Sequence, residues 1–269
     1  MRHELSVDAR EAQRHLKGYS GAPFLTERHF TEPIFMPMLD IPGDARRAFD
    51  ALSSGGIAIM PMDVGYTCSG GSADALQKIF DTKGRTQEKR NAMVGDMEIH
   101  REVHVIDQRG RDVVKAVCED HGLPFGPIAP CDMDHPIIRN LEPAAVPGSI
   151  KDETVCMLVN AGPFHAEICR LSREADFPIF GSSANKSMSG TKFRVEDIEP
   201  DIQAIADVVI DHGLRKYHLY RASSTLIDLR TLDVVRVGSS YELISDILKR
   251  YFDHELPPPP DGFLGGFME

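Results

Sequence analysis

The order of apolar and polar positions along the chain predicts strands that alternate with helices. In several segments apolar residues recur every three or four positions, which is the spacing of one buried face of a helix. These segments are residues 45–52, 73–80, 112–121, 164–175, 195–206 and 241–252. Short apolar runs predict strands at residues 57–61, 103–106, 154–159, 177–180, 208–210, 224–229 and 234–237. The alternation favours an α/β fold in which helices pack on a sheet.

Three stretches lack this pattern, and two of them set the predicted domain boundaries. Residues 1–42 contain several prolines and are predicted to be an N-terminal extension, which can lie along the body or reach a partner subunit in a homodimer. Residues 253–269 form a tail rich in proline and glycine that cannot build a core. Residues 43–252 are then predicted to be one domain. Inside it, the proline-rich residues 123–148 predict a long irregular connection, typical of a functional loop or lid.

Composition and charge limit the class of protein. The chain has 269 residues, of which 42% are hydrophobic and 26% charged, as in a globular protein with a full core. A net charge of −11 and a pI of about 5.5 argue against a protein that coats nucleic acid by charge alone, but they leave room for a local basic cleft. The five cysteines are odd in number and scattered, which predicts a reducing compartment. The sequence has neither an apolar run of transmembrane length nor a signal-peptide core, so we expect a soluble cytoplasmic protein without a membrane partner.

Two strand-to-loop junctions carry the candidate binding chemistry. A predicted strand that ends at Phe180 opens into small hydroxyl and amide residues, among them Ser183 and Asn185. Such a junction leaves backbone N–H groups unpaired, and short polar side chains add donors at little entropic cost. The strand at 57–61 runs into a second junction, at residues 62–71. A polar surface loop that only turns the chain is the competing interpretation of the first junction.

Positive side chains are placed near the predicted strand ends. Lys83 and Arg85 lie two residues apart beyond a predicted helix, so both can reach one polyanion. Ser224 and Thr225 open one predicted strand, and Arg236 lies near the end of the next. Cations that converge with hydroxyl groups and free amides are typical of a nucleotide-phosphate site. Because no nucleophile–base pair is evident, electrostatic positioning is the more natural mode of catalysis.

Histidine and cysteine spacings raise zinc as an alternative. Two pairs have spacings that can bind zinc, namely Cys118 with His121 and Cys131 with His135. The first pair falls on a predicted helix and the second in the proline-rich stretch, which disfavours both. His100 and His104 lie four residues apart, but His104 enters a predicted strand, so the two would not share a helical face. We therefore assign no metal-binding residue.

Short motifs follow one another in a fixed order between about residues 45 and 238. They are Pro61-Met62-Asp63-Val64-Gly65-Tyr66, Lys83-Gly84-Arg85, Ser182-Ser183-Ala184-Asn185-Lys186-Ser187, Ser224-Thr225-Leu226-Ile227-Asp228 and Val235-Arg236-Val237-Gly238. In order and spacing they resemble the Pro-Thr-(Asp/Glu)-Thr-x-Tyr, Lys-x-Arg, Thr-Ser-Ala-Asn-x-Ser, Ser-Thr-(Val/Ile)-(Val/Ile)-Asp and (Val/Leu)-Arg-x-Gly motifs of the YrdC-like family. This family comprises the threonylcarbamoyl-adenylate synthases and their relatives.

The resemblance implies both a fold and an activity. The fold is a single domain with a twisted mixed β-sheet, flanked by helices around a large, positively charged cavity. The activity is that of a nucleotidyltransferase, which joins L-threonine, bicarbonate and ATP into threonylcarbamoyl-AMP and releases pyrophosphate. Because the product is the donor for threonylcarbamoylation of adenosine in tRNA, tRNA or a tRNA-modification protein is an implied partner.

The same resemblance implies a role for each matching residue. Lys83 and Arg85 are the implied catalytic residues, which neutralise the phosphates together with Mg²⁺. The implied nucleotide-binding residues are Ser183, Asn185, Ser224, Thr225 and Arg236. Asp63 and Tyr66 are implied to line the amino-acid end of the cavity.

Departures from the family pattern fall mostly on the amino-acid side. Met62 and Val64 stand where the family has threonines, and the strand that contains Leu158 lacks the family's arginine. These losses weaken threonine recognition, because a carboxylate needs a cationic or amide partner. Two alternatives therefore stay open: a carbamoyl-adenylate enzyme that acts on another small amine or acid, and a noncatalytic nucleotide- or RNA-binding relative. The acidic composition and the absence of aromatic platforms count against RNA.

Overall fold

The computed structural model of the chain describes residues 39–84 and 90–263. Its helices are α1 (Ile41–Ser53), α2 (Ala73–Lys83), α3 (Met97–Val103), α4 (Gln108–Lys115), α5 (Pro136–Arg139), α6 (Val146–Ser149), α7 (Pro163–Glu174), α8 (Pro200–Ala204) and α9 (Tyr241–Phe252). Its strands are β1 (Ala58–Met62), β2 (Gly65–Gly70), β3 (Ala92–Val94), β4 (Gly126–Pro130), β5 (Thr154–Leu158), β6 (Phe180–Ser183), β7 (Val208–Val209), β8 (Leu226–Asp228) and β9 (Asp233–Arg236). The predicted α/β fold is confirmed.

All nine strands of the described residues belong to one mixed sheet, in the order β7-β1-β2-β6-β3-β5-β4-β8-β9. The pairs β1–β7, β3–β5 and β4–β8 are parallel, and the other neighbours are antiparallel. The order of the strands in the sheet differs from their order in the sequence, and parallel neighbours are joined by crossover connections. Strand β6 lies between β2 and β3 and is antiparallel to both. The loop that follows β6 meets the end of α2.

Side-chain caps and amphipathic spacing explain the flanking helices. The Asp40 side chain accepts a hydrogen bond from the Gly43 N–H at 3.0 Å at the start of α1. The apolar face of α1 consists of the buried residues Ala45, Ala48, Phe49 and Leu52. Ser72 caps α2, and Gly84 ends it in a left-handed conformation with φ of 60°. The helices thus cover a sheet whose strand β1 is buried along its whole length.

The prediction of a long irregular connection at residues 123–148 was wrong. This stretch contains β4, an interior strand between β5 and β8, followed by α5. Pro127 and Pro130 hide the strand in the sequence, because proline has no N–H and is rare in the middle of a sheet. The other backbone groups still pair: the Gly126 N–H donates to the Thr225 carbonyl at 2.9 Å.

Two further predicted elements differ from the structure. The strand predicted at 103–106 is instead the end of α3, followed by a single bridge between His104 and Cys131. As a result, His100 and His104 do meet, with 2.8 Å between their Nδ1 atoms. The helix predicted at 195–206 is divided into a 3-10 turn and α8, because Pro200 disfavours helical backbone at the residue before it.

The first residues after α9 pack against it: Leu256 is buried, and the Tyr241 hydroxyl donates to the Pro257 carbonyl at 2.5 Å. Most of the predicted N-terminal extension, residues 1–38, and the last part of the tail, residues 264–269, lie outside the described residues. In the described ranges, every helix is too short or too polar to cross a membrane.

Candidate nucleotide-binding site

A cavity of about 610 Å³ lies over the sheet and brings together most of the residues predicted to bind nucleotide. Five predicted residues line it, namely Lys83, Ser183, Asn185, Ser224 and Arg236. They come from the end of α2, from β6 and the loop after it, and from the β8–β9 pair. The volume is within the usual range for small-molecule sites, roughly 300–1,000 Å³.

The charged side chains in the described part of the cavity wall are all cationic. They are Lys83, Arg90, Lys151 and Arg236, and no aspartate or glutamate of the described residues lines the cavity. This contrasts with the net charge of −11 for the whole chain. A concave surface of one sign concentrates ligands of the opposite sign. The cavity is therefore suited to a polyanion.

Lys83 holds the loop that follows β6, which we call the β6 loop (residues 184–192). Its buried Nζ atom donates hydrogen bonds to the carbonyl oxygens of Ser183 and, at 2.6 Å, of Asn185. The Lys83 carbonyl accepts a third bond from the Ser187 N–H at 3.0 Å. Because α2 ends at this residue, the helix anchors the start of the β6 loop in the cavity wall.

Several buried polar atoms of the cavity wall have no hydrogen-bond partner among the described residues. They are Asn185 Oδ1 and the hydroxyl oxygens of Ser149, Ser182 and Ser187. An unpaired buried polar group costs about 1–3 kcal/mol. A ligand with phosphate and hydroxyl groups would satisfy these atoms, so the donor set fits a nucleotide such as ATP.

Arg236 is the last residue of the edge strand β9, which pairs with β8. It is exposed to solvent and donates from Nη2 to the Ser224 carbonyl at 2.7 Å. Desolvation by the surrounding protein lowers the pKa of its guanidinium, while the nearby Cys156 raises it. Burial raises the pKa of the Cys156 thiol to about 11, although the charge of Arg236 opposes the shift. Arg236 thus presents its guanidinium to the cavity, where it can form paired hydrogen bonds with a phosphate or carboxylate.

Glu199 holds the far side of the β6 loop. Its carboxylate accepts hydrogen bonds from the Ser189 hydroxyl at 2.5 Å and the Lys186 N–H at 3.3 Å, and it pairs with Lys192 Nζ at 3.2 Å. Burial alone would raise the pKa of Glu199, but the bonds from Ser189, Lys192 and the backbone lower it to about 2. The β6 loop is therefore fixed by a cation at its start and an anion at its end.

Two predicted amino-acid-binding residues, Asp63 and Tyr66, are not among the residues that line the cavity. Tyr66 is fully buried, and its hydroxyl lies 3.0 Å from Asp211 Oδ1 and 2.9 Å from the Gly213 carbonyl, while it accepts from the His212 N–H at 3.0 Å. Burial raises the pKa of Tyr66 to about 12, an effect that the His212 N–H opposes and Asp211 strengthens. The hydroxyl is thus neutral and already fully hydrogen-bonded within the protein.

Asp63 occupies the turn between β1 and β2 and faces residues from a later part of the chain. Its carboxylate lies 3.4 Å from Arg215 and 3.9 Å from Lys216, and its backbone carbonyl accepts from the Tyr217 N–H at 3.0 Å. Burial raises the pKa of this carboxyl, and the two cations oppose the rise. The side chain therefore stabilises the segment 210–217 rather than facing the cavity.

Thr225 and Arg85 are the last two residues to which the motifs assigned a role. Thr225 is fully buried, donates to the Ser239 carbonyl at 3.1 Å and accepts from the Gly238 N–H at 3.1 Å, so it joins the β8–β9 pair to the start of α9. Arg85 lies outside the described residues, and its catalytic role stays a prediction.

Sequence reasoning missed Ser149 and Lys151, which both line the cavity. Ser149 is the last residue of α6, and Lys151 lies between α6 and β5, next to the stretch that was wrongly predicted to be irregular. A lone serine and a lone lysine carry no motif, so nothing in the sequence singled them out. As for metals, no group of three or more His, Cys, Asp or Glu side chains is gathered in the described ranges.

The mixed sheet and its cation-lined cavity define a class of α/β protein, and the comparison of sequences identifies its family. Residues 50–238 match the Sua5/YciO/YrdC family, which carries the description "Telomere recombination". The match covers well over half of the chain, and the chain belongs to this family. This confirms the family resemblance predicted from the motifs. No curated protein matches the sequence.

Solved structures share the fold at low sequence identity. The hypothetical protein smu.1377c of Streptococcus mutans UA159 is 17% identical with a TM-score of 0.65, covering 78% of this chain and 93% of that one. Sua5 of P. abyssi, solved in complex with L-threonine, is 18% identical with a TM-score of 0.62. That match covers 81% of this chain but only 60% of Sua5. YciO of E. coli is 20% identical with a TM-score of 0.55, covering 73% of this chain and 90% of YciO.

Proposed function

We propose that the protein binds ATP in this cavity and uses it to make a carbamoyl-type adenylate from bicarbonate and a small amine. In the reaction implied by the family, the amine is L-threonine and the product is threonylcarbamoyl-AMP. The observation that carries the proposal is the convergence of cations with unpaired hydroxyl groups in a cavity wall without acidic side chains. P. abyssi Sua5 in complex with L-threonine supports a small-molecule site in the family.

The proposed chemistry depends on charge stabilisation. The amine adds to CO2 derived from bicarbonate, a carbamate oxygen attacks the α-phosphorus of ATP, and pyrophosphate leaves. Negative charge is spread over the phosphate oxygens, where preorganised cations and N–H donors lower the barrier. No Asp, Glu or His of the described residues lines the cavity. The contribution of the described side chains is therefore to bind, orient and neutralise the reactants, with Lys83 and Arg236 as the principal cations and Arg85 as a further candidate.

Mg²⁺ would share the charge of the phosphates. Because the described cavity wall offers hydroxyl and amide oxygens but no carboxylate, the ion would be held mainly by the phosphate oxygens of ATP. The product of the proposed reaction would be the donor for modification of tRNA, which is the downstream partner that the family implies.

The test is calorimetry with ATP and Mg²⁺, with and without threonine and bicarbonate, followed by a pyrophosphate-release assay. Arg236→Gln should weaken ATP binding about tenfold, in keeping with a charged hydrogen bond. Arg230→Gln is the matched control, because Arg230 lies in the turn between β8 and β9, outside the cavity wall, and pairs with Asp228 at 2.6 Å. Its ATP binding should be unchanged.

The outcomes separate the candidate functions. Amine-dependent release of pyrophosphate would support the complete proposal. ATP binding without pyrophosphate release under any amine would leave a noncatalytic nucleotide-binding protein. Failure to bind ATP would overturn the proposal.

A further inference from the structure

Strand β9 lies at one edge of the sheet, and no described strand pairs with its outer side. Its one strand neighbour in the described ranges is β8. Val235, in the middle of β9, is 58% exposed. The outer side of an edge strand presents unpaired backbone N–H and C=O groups, and an exposed apolar side chain there favours pairing with another strand.

An extra residue in β9 changes which of its side chains share a face of the sheet. The pairing of β8 with β9 skips Val235, which is therefore the additional residue of a β-bulge. On either side of the bulge, Leu226 is paired with Arg236 and Asp228 with Asp233. Because Leu226 and Asp228 are two positions apart on β8, their side chains point to the same face. Arg236 and Asp233 therefore share that face as well, although three positions separate them.

Asp233 and Arg236 carry opposite charges, and neither has an ion-pair partner among the described residues. The acid opposite Asp233, Asp228, pairs with Arg230 at 2.6 Å. The guanidinium of Arg236 donates from Nε and Nη2 to the Ser224 carbonyl, and its remaining N–H groups can make further bonds. One face of the β9 edge thus has an acid at its first residue and a base at its last.

We propose that two copies of the chain associate through β9, which pairs with β9 of the second copy in antiparallel fashion about a two-fold axis perpendicular to the sheet. This pairing places Asp233 of each copy opposite Arg236 of the partner subunit. Residues directly opposite each other in an antiparallel pair point to the same face, and the bulge brings Asp233 and Arg236 to the same face. Val235 lies next to the axis, where the second copy covers it.

The association makes the nucleotide cavity a shared structure. Arg236 lines the cavity, so the partner subunit contributes a carboxylate to the rim of each cavity. Only four residues of each copy pair, which is typical of a weak association that depends on protein concentration. Because it is formed by the edge of the sheet, it goes beyond the proposed function and does not depend on what the cavity binds.

Sedimentation velocity of the full chain, from low to high micromolar concentration, measures the association. The unchanged protein should shift from monomer toward dimer as the concentration rises. Asp233→Arg should weaken the dimer about tenfold, because a symmetric interface loses two pairs of opposite charge and gains two of like charge. Adding Arg236→Asp to Asp233→Arg exchanges the charges and should restore the association, which an effect on folding alone would not do.

Asp50→Arg is the matched control. It makes the same change of charge on the exposed side of α1, a helix that packs on β1 and β7 near the opposite edge of the sheet. Its dimer dissociation constant should equal that of the unchanged protein. Circular dichroism of each variant tests whether it is folded, and Asp233→Asn, which removes the charge without adding another, should weaken the dimer less than Asp233→Arg does.

Two simple outcomes would overturn the proposed dimer: a protein that stays monomeric at every concentration, and a dimer that Asp233→Arg leaves unchanged, since its interface would then lie elsewhere. If the double variant did not restore the association, the two ion pairs would be refuted. ATP calorimetry on the unchanged protein is a separate readout. Dimerisation without ATP binding would overturn only the proposed function, and ATP binding by a protein that is always monomeric would overturn only the dimer.

Discussion

Two neighbouring regions of the sheet look alike in sequence but differ in what surrounds them. The turn between β1 and β2 (residues 62–66) and the β6 loop both follow an apolar strand and both carry polar residues. They are adjacent in space, since Thr67 pairs with Ser183 and the Ala184 N–H donates to the Tyr66 carbonyl at 2.8 Å. Only the β6 loop lines the cavity.

The β1–β2 turn and the β6 loop differ in whether their polar groups have hydrogen-bond partners within the protein. The segment 210–217 covers the β1–β2 turn and supplies partners to its polar groups: Tyr66 bonds to Asp211, and Arg215 donates to the Met62 carbonyl at 3.1 Å. In the β6 loop, Asn185 Oδ1 and the Ser187 hydroxyl have no partner among the described residues. Polar groups that are already paired stabilise the fold, whereas buried unpaired ones mark a place for a ligand.

The largest effect is expected at Lys83, where the β6 loop meets α2. Lys83→Ala removes the donor to two buried carbonyl oxygens and a cation from the cavity. ATP affinity should fall about 10- to 100-fold, equivalent to the ~1.5–3 kcal/mol of a charged hydrogen bond. Calorimetry with ATP and Mg²⁺ measures this. Lys216→Ala is the control next to the β1–β2 turn. The Lys216 side chain is largely exposed, and its ion pair with Asp63 is long, at 3.9 Å. Equal ATP affinity in both variants would show that the β6 loop is no more important for ATP binding than the β1–β2 turn.

The second prediction concerns the β1–β2 turn. Tyr66→Phe removes a buried hydroxyl and leaves the His212 N–H and the groups around it without that partner. The free energy of unfolding should fall by about 1–3 kcal/mol, while ATP affinity stays unchanged. Urea denaturation and calorimetry measure the two quantities.

Tyr251→Phe is the control for Tyr66, since the Tyr251 side chain is 60% exposed. It should alter the free energy of unfolding by less than about 0.5 kcal/mol. A loss of ATP affinity in Tyr66→Phe at unchanged stability would show instead that Tyr66 contacts the ligand.

The smallest effect is expected at Glu199, which acts on the β6 loop from outside the cavity. Its pKa in the folded protein is about 2, below the ordinary value of 4.5. Stability from this carboxylate is therefore fully present above about pH 4.5 and is lost as the pH falls toward 2. Glu199→Gln should weaken ATP binding a few-fold at pH 7 and should reduce the loss of stability between pH 5 and pH 3.

Urea denaturation at several pH values and calorimetry at pH 7 test the role of Glu199. Glu98→Gln is the control, because Glu98 pairs with Arg101 at 2.6 Å on the exposed side of α3. Its ATP affinity should match that of the unchanged protein. An unchanged pH profile in Glu199→Gln would show that the carboxylate does not hold the β6 loop.

Elements with strong local patterns were predictable from the sequence. The helix predicted at 241–252 is α9, and the strand predicted at 154–159 is β5 within one residue. β4 was not predictable, because two prolines occupy a strand whose remaining groups pair with residues far away in the sequence. Of the residues to which the motifs assigned a role, five line the cavity, whereas Asp63, Tyr66 and Thr225 do not. A motif records residue types and spacing, and it contains no information about what packs above a side chain.

The sequence by itself determined most of the alternation of helices and strands, the family, and five predicted site residues that line the cavity. These follow from local spacing and from side-chain chemistry, which the sequence states directly. Only the tertiary structure decided that the segment 210–217 covers the β1–β2 turn while the β6 loop stays open to the cavity. It also decided that Val94, Leu158, Gly126 and Leu226, from four different strands, line one cavity. The physical reason is that these environments arise from pairing between strands far apart in the sequence, and that pairing determines which side chains meet.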